Sequence, residues 1–205
     1  ALPEPRARLE DLDPSQIQRF RKLCNLKGRR HIPEEEDDEN VLKKLGLLTD
    51  KGEVTCAAVL LFGKEPQRFY PQAFLRIGRF RSLSWVTDDH PIYGTLWDQV
   101  DGAMNYFRQH LQTSYGPTPE PAREVTWEYP LEALREAIIN AVCHRDYIDC
   151  GHIQVRWFED HMVIISPGTL VPPLRLEDLK RPHRSHPRNR KIAEAFYFAG
   201  WIEQW

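Results

Sequence analysis

LREAIINAVCHRDY, Leu134 to Tyr147, sets a carboxylate and a carboxamide, Glu136 and Asn140, four residues apart on an expected helix. Side chains at that spacing leave a helix on the same face, about 5–6 Å apart at Cβ, so one can prepare a water while the other holds a metal ion. That is the minimum equipment for metal-assisted phosphate chemistry. At about 100° per residue, Leu131, Leu134, Ile138 and Val142 form one stripe, expected to pack on a sheet. Glu136, Asn140, Cys143 and Tyr147 form a second stripe nearly opposite. Solvent exposure alone would also put polar residues there, so the pattern by itself leaves both readings open.

Working outward, the helix is expected over Pro130 to Arg145, with proline in its first turn. Glu124 to Glu128 reads as a strand, His152 to Trp157 as a strand alternating Ile153, Val155 and Trp157, and Met162 to Ile165 as its hairpin partner. Helix plus antiparallel strands makes an α+β layer. Ser166 to Pro187, rich in proline and charge, reads as a long surface loop with a turn of helix near Glu177, and Lys191 to Ala199 as a helix. Upstream, Pro14 to Leu26 carries Ile17, Phe20 and Leu23 at helical spacing, and Glu35 to Leu45 follows with Gly46 as its stop. The acidic run Glu34 to Glu39 reads as a solvated helix start. Val54 to Phe62 fits strand or helix, and a short helix is the favoured reading. Ala73 to Phe80 reads as a strand, Tyr93 to Leu111 as a long amphipathic helix, and Pro117, Pro119 and Pro121 as a linker. Two units are therefore expected, residues 1–118 and 119–205.

The chain has 205 residues, enough to bury a real core, and a formal charge of −2, which gives no whole-chain attraction to nucleic acid. No apolar run approaches the length of a membrane span, and no signal-peptide pattern opens the chain. Cys24, Cys56, Cys143 and Cys150 are scattered, without zinc spacing, which fits reduced cytosolic thiols. A cytoplasmic protein without a structural metal is expected. The opening at Ala1 and the close at Trp205, directly after a helical pattern, read as cuts in a longer protein.

LREAIINAVCHRDY, VRWFEDHMVIISPGTL (Val155 to Leu170) and HPRNRKIAEAFYFAGWIEQW (His186 to Trp205) together resemble the ATP-binding region of bacterial RecG-related transcriptional regulators. That is a branch of the GHKL ATPase superfamily, whose fold is shared by gyrase, Hsp90, histidine kinases and MutL. VTCAAVLLFGKEPQRFYPQAFLRIGRF (Val54 to Phe80) and IYGTLWDQVDGAMNYF (Ile92 to Phe107) are similar to the segment that precedes it there. The resemblance implies a GHKL (Bergerat-like) two-layer α/β sandwich in the C-terminal half, after a mixed helical and α/β segment. It also implies a Schlafen-like AlbA DNA-binding domain before this region, and a Gly-rich segment and often a helix-turn-helix after it. ATP with Mg²⁺ is the implied ligand. Glu136 would be the general base and Asn140 the Mg²⁺ ligand, with His144, Arg145, Asp146, Ser166, Gly168, Arg184, Arg188 and Asn189 around the nucleotide. DNA would bind through domains outside this chain, and a homodimer is among the expected assemblies.

Two positions depart from the superfamily pattern. An acidic residue is usual seven after the glutamate, where this chain has Cys143, and Asp146 lies roughly 80° round the helix. The triplet His144-Arg145-Asp146 could contact phosphate or pin the helix end. In ISPGTL, Ser166 stands where the superfamily reads adenine with an aspartate. Exchanging a charged for a neutral acceptor should weaken adenine recognition roughly tenfold. A plain surface turn at Pro167 and Gly168 would give the same spacing.

Lys180, Arg181, Arg184, Arg188, Arg190 and Lys191, interleaved with His183 and His186, crowd cations on one loop. An anion would relieve their repulsion; in the GHKL reading this is the ATP lid, and otherwise it is a solvated loop. The helix that follows has its N-terminus placed to help hold a phosphate. There is no GxxxxGK[ST], since Ala58 falls where the first glycine before Gly63-Lys64 should be, so no helicase motor is encoded. The expectation is a Mg-dependent ATP-binding fragment with little ATPase activity. The alternative is a noncatalytic DNA-binding or protein-interaction module with a degenerate nucleotide site.

Overall fold

The computed structural model describes residues 2–27, 29–82, 84–115, 125–172, 175–181 and 187–202. After a short 3-10 turn at Leu9–Asp11 come α1 (Pro14–Lys27), α2 (Asp38–Lys44), α3 (Cys56–Phe62) and the single turn α4 (Pro66–Phe69). Then follow β1 (Leu75–Ser82), β2 (Trp85–Ile92), α5 (Leu96–His110), β3 (Thr113–Tyr115), β4 (Val125–Trp127), α6 (Leu131–His144), β5 (Ile153–Trp157) and β6 (Met162–Ile165). A 3-10 turn at Leu176–Lys180 and α7 (Arg190–Phe198) complete a mixed α+β architecture.

Helix starts follow from side-chain caps. Thr55 accepts a hydrogen bond from the Ala58 N–H at 3.2 Å, which settles the ambiguous apolar run as helix α3, buried along its length. Thr95 and Asp98 form a reciprocal capping box, which starts α5 three residues later than periodicity suggests. At α2, Asp37 caps the helix, but the acidic run is more than a solvated start. Buried Arg21 of α1 donates to Asp38 at 2.7 Å and to the Glu36 carbonyl at 2.8 Å, tying the run to the core.

The main sheet has the order β2-β1-β5-β6. β1 runs parallel to β5, with Leu75 opposite Ile153 and Ile77 opposite Val155; the β1–β2 and β5–β6 pairs are antiparallel hairpins. Two strands thus come from each side of the boundary expected at 118, and one sheet joins both expected units. β2 was not legible, because an edge strand exposed along nearly all its length has no buried face to impose alternation, and Asp88, Asp89 and Pro91 are poor strand formers. β3 pairs with β4 in a separate two-stranded ribbon, while the prolines expected as a linker lie outside the described residues.

α5 and α6 pack on each other and against the sheet, burying Val100, Ala103, Phe107, Ile138 and Val142 over Leu75, Ile77, Val155 and Trp157. Fully burying each such side chain contributes about 1.5–3 kcal/mol. Trp97 of α5 lies where α1 and α7 meet, its ring 4.4 Å from Phe196, 5.1 Å from Trp201 and 5.9 Å from Phe20. Among the described residues, no helix is long and apolar enough to cross a membrane.

Candidate functional site

α6 buries Leu134, Ile138 and Val142 as the first stripe requires. The second stripe divides. Glu136 and Asn140 are exposed, whereas Cys143 and Tyr147 are buried. The cause is the way this helix ends. Its last turn leaves carbonyls without intrahelical partners, and side chains arriving from elsewhere take them. Ser166 Oγ donates to the Ala141 carbonyl at 2.8 Å, Tyr147 Oη to Val142 at 3.0 Å, and Asn189 Nδ2 to Cys143 at 3.0 Å and Arg145 at 2.6 Å. The turn after β6 and the start of α7 are thereby laid over the end of α6. Burial pushes the Cys143 thiol up to about 12 and the Tyr147 phenol well above its ordinary range, so both stay protonated.

Of the two roles open to the HRD triplet, Arg145 takes that of pinning the helix end. It is fully buried, donates to the Gly151 carbonyl, and holds its guanidinium 4.9 Å from the centre of the Tyr147 ring. Its Nε and Nη1 are buried without a hydrogen-bond partner among the described residues, and burial lowers its pKa from the usual guanidinium range. Asp146 faces the other way. Its Oδ2 receives Arg188 Nη1 at 3.2 Å, and its backbone N–H donates to the Pro167 carbonyl at 2.8 Å. Arg188 Nη2 also donates to the Thr169 carbonyl at 2.7 Å. Gly168 has a φ of +126°, and a Cβ there would stand 3.2 Å from Asp146 Cβ, so the turn needs glycine both for conformation and for space. His144 keeps solvent access, yet crowding of its imidazole and then the neighbouring Arg188 push its pKa down.

The structure therefore brings Asp146, Ser166, Gly168, Arg188 and Asn189 to one junction, with His144 beside it and Asn140 and Glu136 one and two turns back along α6. Arg184, together with His183 and His186, lies outside the described residues. Arg190 and Lys191 of the basic loop share Glu194, at 3.1 and 2.7 Å. Among the described residues, no group of three or more His, Cys, Asp or Glu side chains could hold a metal ion. Glu136 and Asn140 line none of the cavities of about 760, 400 and 320 Å³. The first of these, between α3, α7 and the loop after α6, is lined by Asp146, Arg188 and Asn189 together with Ala57, Leu60 and Tyr70. No sequence signal links these N-terminal residues to the site, because tertiary packing alone brings α3 to α7.

Two family models match parts of the chain. Residues 151–205 match one described as "Putative ATP-dependent DNA helicase recG C-terminal". Residues 3–76 match a domain of unknown function, DUF8451. Among curated proteins none matches. Of solved structures, the DIP2311 protein from Corynebacterium diphtheriae is similar over 100% of this chain and 39% of its own, with a TM-score of 0.75 at 22% identity. At that identity the likeness speaks to the fold alone, and the chain spans well under half the length of that protein.

Proposed function

We propose that the C-terminal part of the chain is the ATP-binding portion, of GHKL type, of a larger RecG-related protein that regulates transcription. The observation that carries the reading is the contact of the Ser166–Gly168 turn with the last turn of α6, through Ser166 to the Ala141 carbonyl and Pro167 to the Asp146 N–H. That contact sets a glycine turn and the cation of Arg188, both within the RecG-type match, against the end of α6, which precedes the match and carries Asn140 and Glu136 one and two turns back. In this reading Glu136 orients water, Asn140 faces the metal, Ser166 and Gly168 border the base, and Arg188 with Asn189 meets the phosphates.

The donor set fits a metal that arrives on its nucleotide. Mg²⁺ keeps several waters and takes one or two protein oxygens plus phosphate oxygens. Glu136 and Asn140 offer two side chains with no hydrogen bond to another described residue, too few for a free ion. When bound, Mg²⁺ would neutralise phosphate charge; the chain's own contribution is to position it and to neutralise phosphate through Arg188. Titration with Mg-ATP followed by calorimetry tests this: saturable binding that Asn140→Ala abolishes is expected, and no binding at millimolar nucleotide overturns it.

A second reading, a noncatalytic DNA-binding module, is favoured by one observation. On the β1–β2 arm, Arg81 lies 5.3 Å from the ring of exposed Trp85, with Arg79 on the same strand as Arg81. Cations interleaved with aromatic faces suit a nucleic-acid strand. Salt-sensitive DNA binding lost on Arg81→Glu and indifferent to Asn140→Ala would favour it.

A further inference from the structure

The cavity of about 760 Å³ between α3 and α7 has a size and lining typical of small-molecule sites, which are mostly apolar with a few convergent polar groups. Its accessible apolar wall is Leu2 and Ile148, 71% and 86% exposed, over a floor of the nearly buried Ala57 and Leu60 of α3 and Ile192 of α7. An isoleucine so exposed, beside a ready-made hollow, gains from any apolar body seated there.

The polar wall has a sign. Arg188, Arg190 and Lys191 line the cavity against only two carboxylates on the same wall, Asp146 and Glu194. Arg188 is held by Asp146 at 3.2 Å, while Arg190 and Lys191 divide the single carboxylate of Glu194. Among the described residues one positive charge is left without a counterpart, and Arg188 Nε is buried with no hydrogen-bond partner. Tyr70, also in the lining, donates a hydrogen bond from its hydroxyl to Glu4 at 2.8 Å and adds no negative charge, since burial, followed by Cys56 and Glu4, raises its pKa far above neutrality.

We propose that this cleft binds an apolar monocarboxylate of the fatty-acid class, its chain between Leu2 and Ile148 and its carboxylate at Arg190 and Lys191. The cleft shares Arg188 and Asn189 with the phosphate end of the nucleotide reading but includes neither Glu136 nor Asn140, and the carboxylate contacts Arg190 and Lys191 have no part in that reading. Arg188 borders the cleft and also ties Asp146 to Thr169, so a bound anion acts on the junction at the end of α6.

The test is calorimetry on the chain without nucleotide, using decanoate, decylamine and decanol as probes, all below their micellar concentrations. Saturable one-to-one binding of decanoate is expected, at least tenfold tighter than either other probe. Arg190→Glu should weaken it about tenfold; its side chain is 76% exposed, so the fold is not at stake. Ile148→Ser should weaken decanoate severalfold and leave acetate unaffected. Equal affinity for the three head groups, binding that does not saturate, or indifference to Arg190→Glu would overturn the assignment. Asn140→Ala should lose Mg-ATP binding and keep decanoate binding, and Arg190→Glu should do the reverse, so failure of either reading is seen apart from the other.

Discussion

Around Trp97 and at the end of α6, the chain solves the same problem, joining distant segments, by opposite means. Trp97 gathers α1, α5 and α7 through Phe20, Phe196 and Trp201, with ring centres 4.4 to 5.9 Å apart. The α6 end is joined by directional bonds from Ser166, Tyr147 and Asn189 to three successive carbonyls, and by the Asp146–Arg188 ion pair. Apolar contact is non-directional and tolerates small shifts, whereas a buried polar junction needs each partner and leaves real costs where one is lacking, as at Arg145 Nε and Nη1. The first region holds the molecule together; the second can be rearranged by whatever supplies or removes a partner.

The largest expected effect therefore belongs to the first region. Trp97→Ala should cost about 3–5 kcal/mol in urea denaturation, and a smaller loss would mean the core is less cooperative than its packing implies. In the second region, Gly168→Ala should cost about 1–3 kcal/mol, because its φ of +126° and the approach of Asp146 both refuse a methyl group. A loss as large as that of Trp97→Ala would erase the contrast.

These two regions were not equally legible in the sequence. The α6 stripe of Leu134, Ile138 and Val142, β5 and α7 follow from periodicity, since each buries one face, and β6, half-buried at alternate residues, follows as the hairpin partner of β5. β2 has no buried face, and its place beside β1 is set by pairing that composition does not encode. For the same reason the burial of Cys143 and Tyr147 escaped a helical-wheel reading: the Cys143 carbonyl is met by Asn189, remote in sequence, and Tyr147 lies past the helix end with its hydroxyl turned back to Val142 and Arg145 over its ring. Arg145 reads in the sequence as a phosphate contact or a pin for the helix end, and its burial comes with the Tyr147 ring and the Gly151 carbonyl, neither of which the pattern announces.

A smaller effect is expected at low pH, away from both regions. Arg6 donates to Glu4 at 2.8 and 3.0 Å and, with help from Tyr70, holds its carboxyl down to about 2 from an ordinary 4.5. A depressed carboxyl stabilises the fold above its unfolded pKa and loses that contribution as pH falls from about 4.5 toward 2. The difference in Tm between the native chain and Glu4→Gln should therefore be largest at neutral pH and close as pH drops through that window. A constant difference would mean that the pair contributes packing rather than charge.

The smallest effect on stability, within about 0.5 kcal/mol, is expected for Asn140→Ala, an exposed position without a hydrogen-bond partner among the described residues. That makes it the direct test of the central claim. Calorimetric titration of the native chain and of Asn140→Ala with Mg-ATP should give saturable binding in the first and none in the second, at equal Tm. Equal binding by both, or by neither, would contradict a nucleotide site on the exposed face of α6.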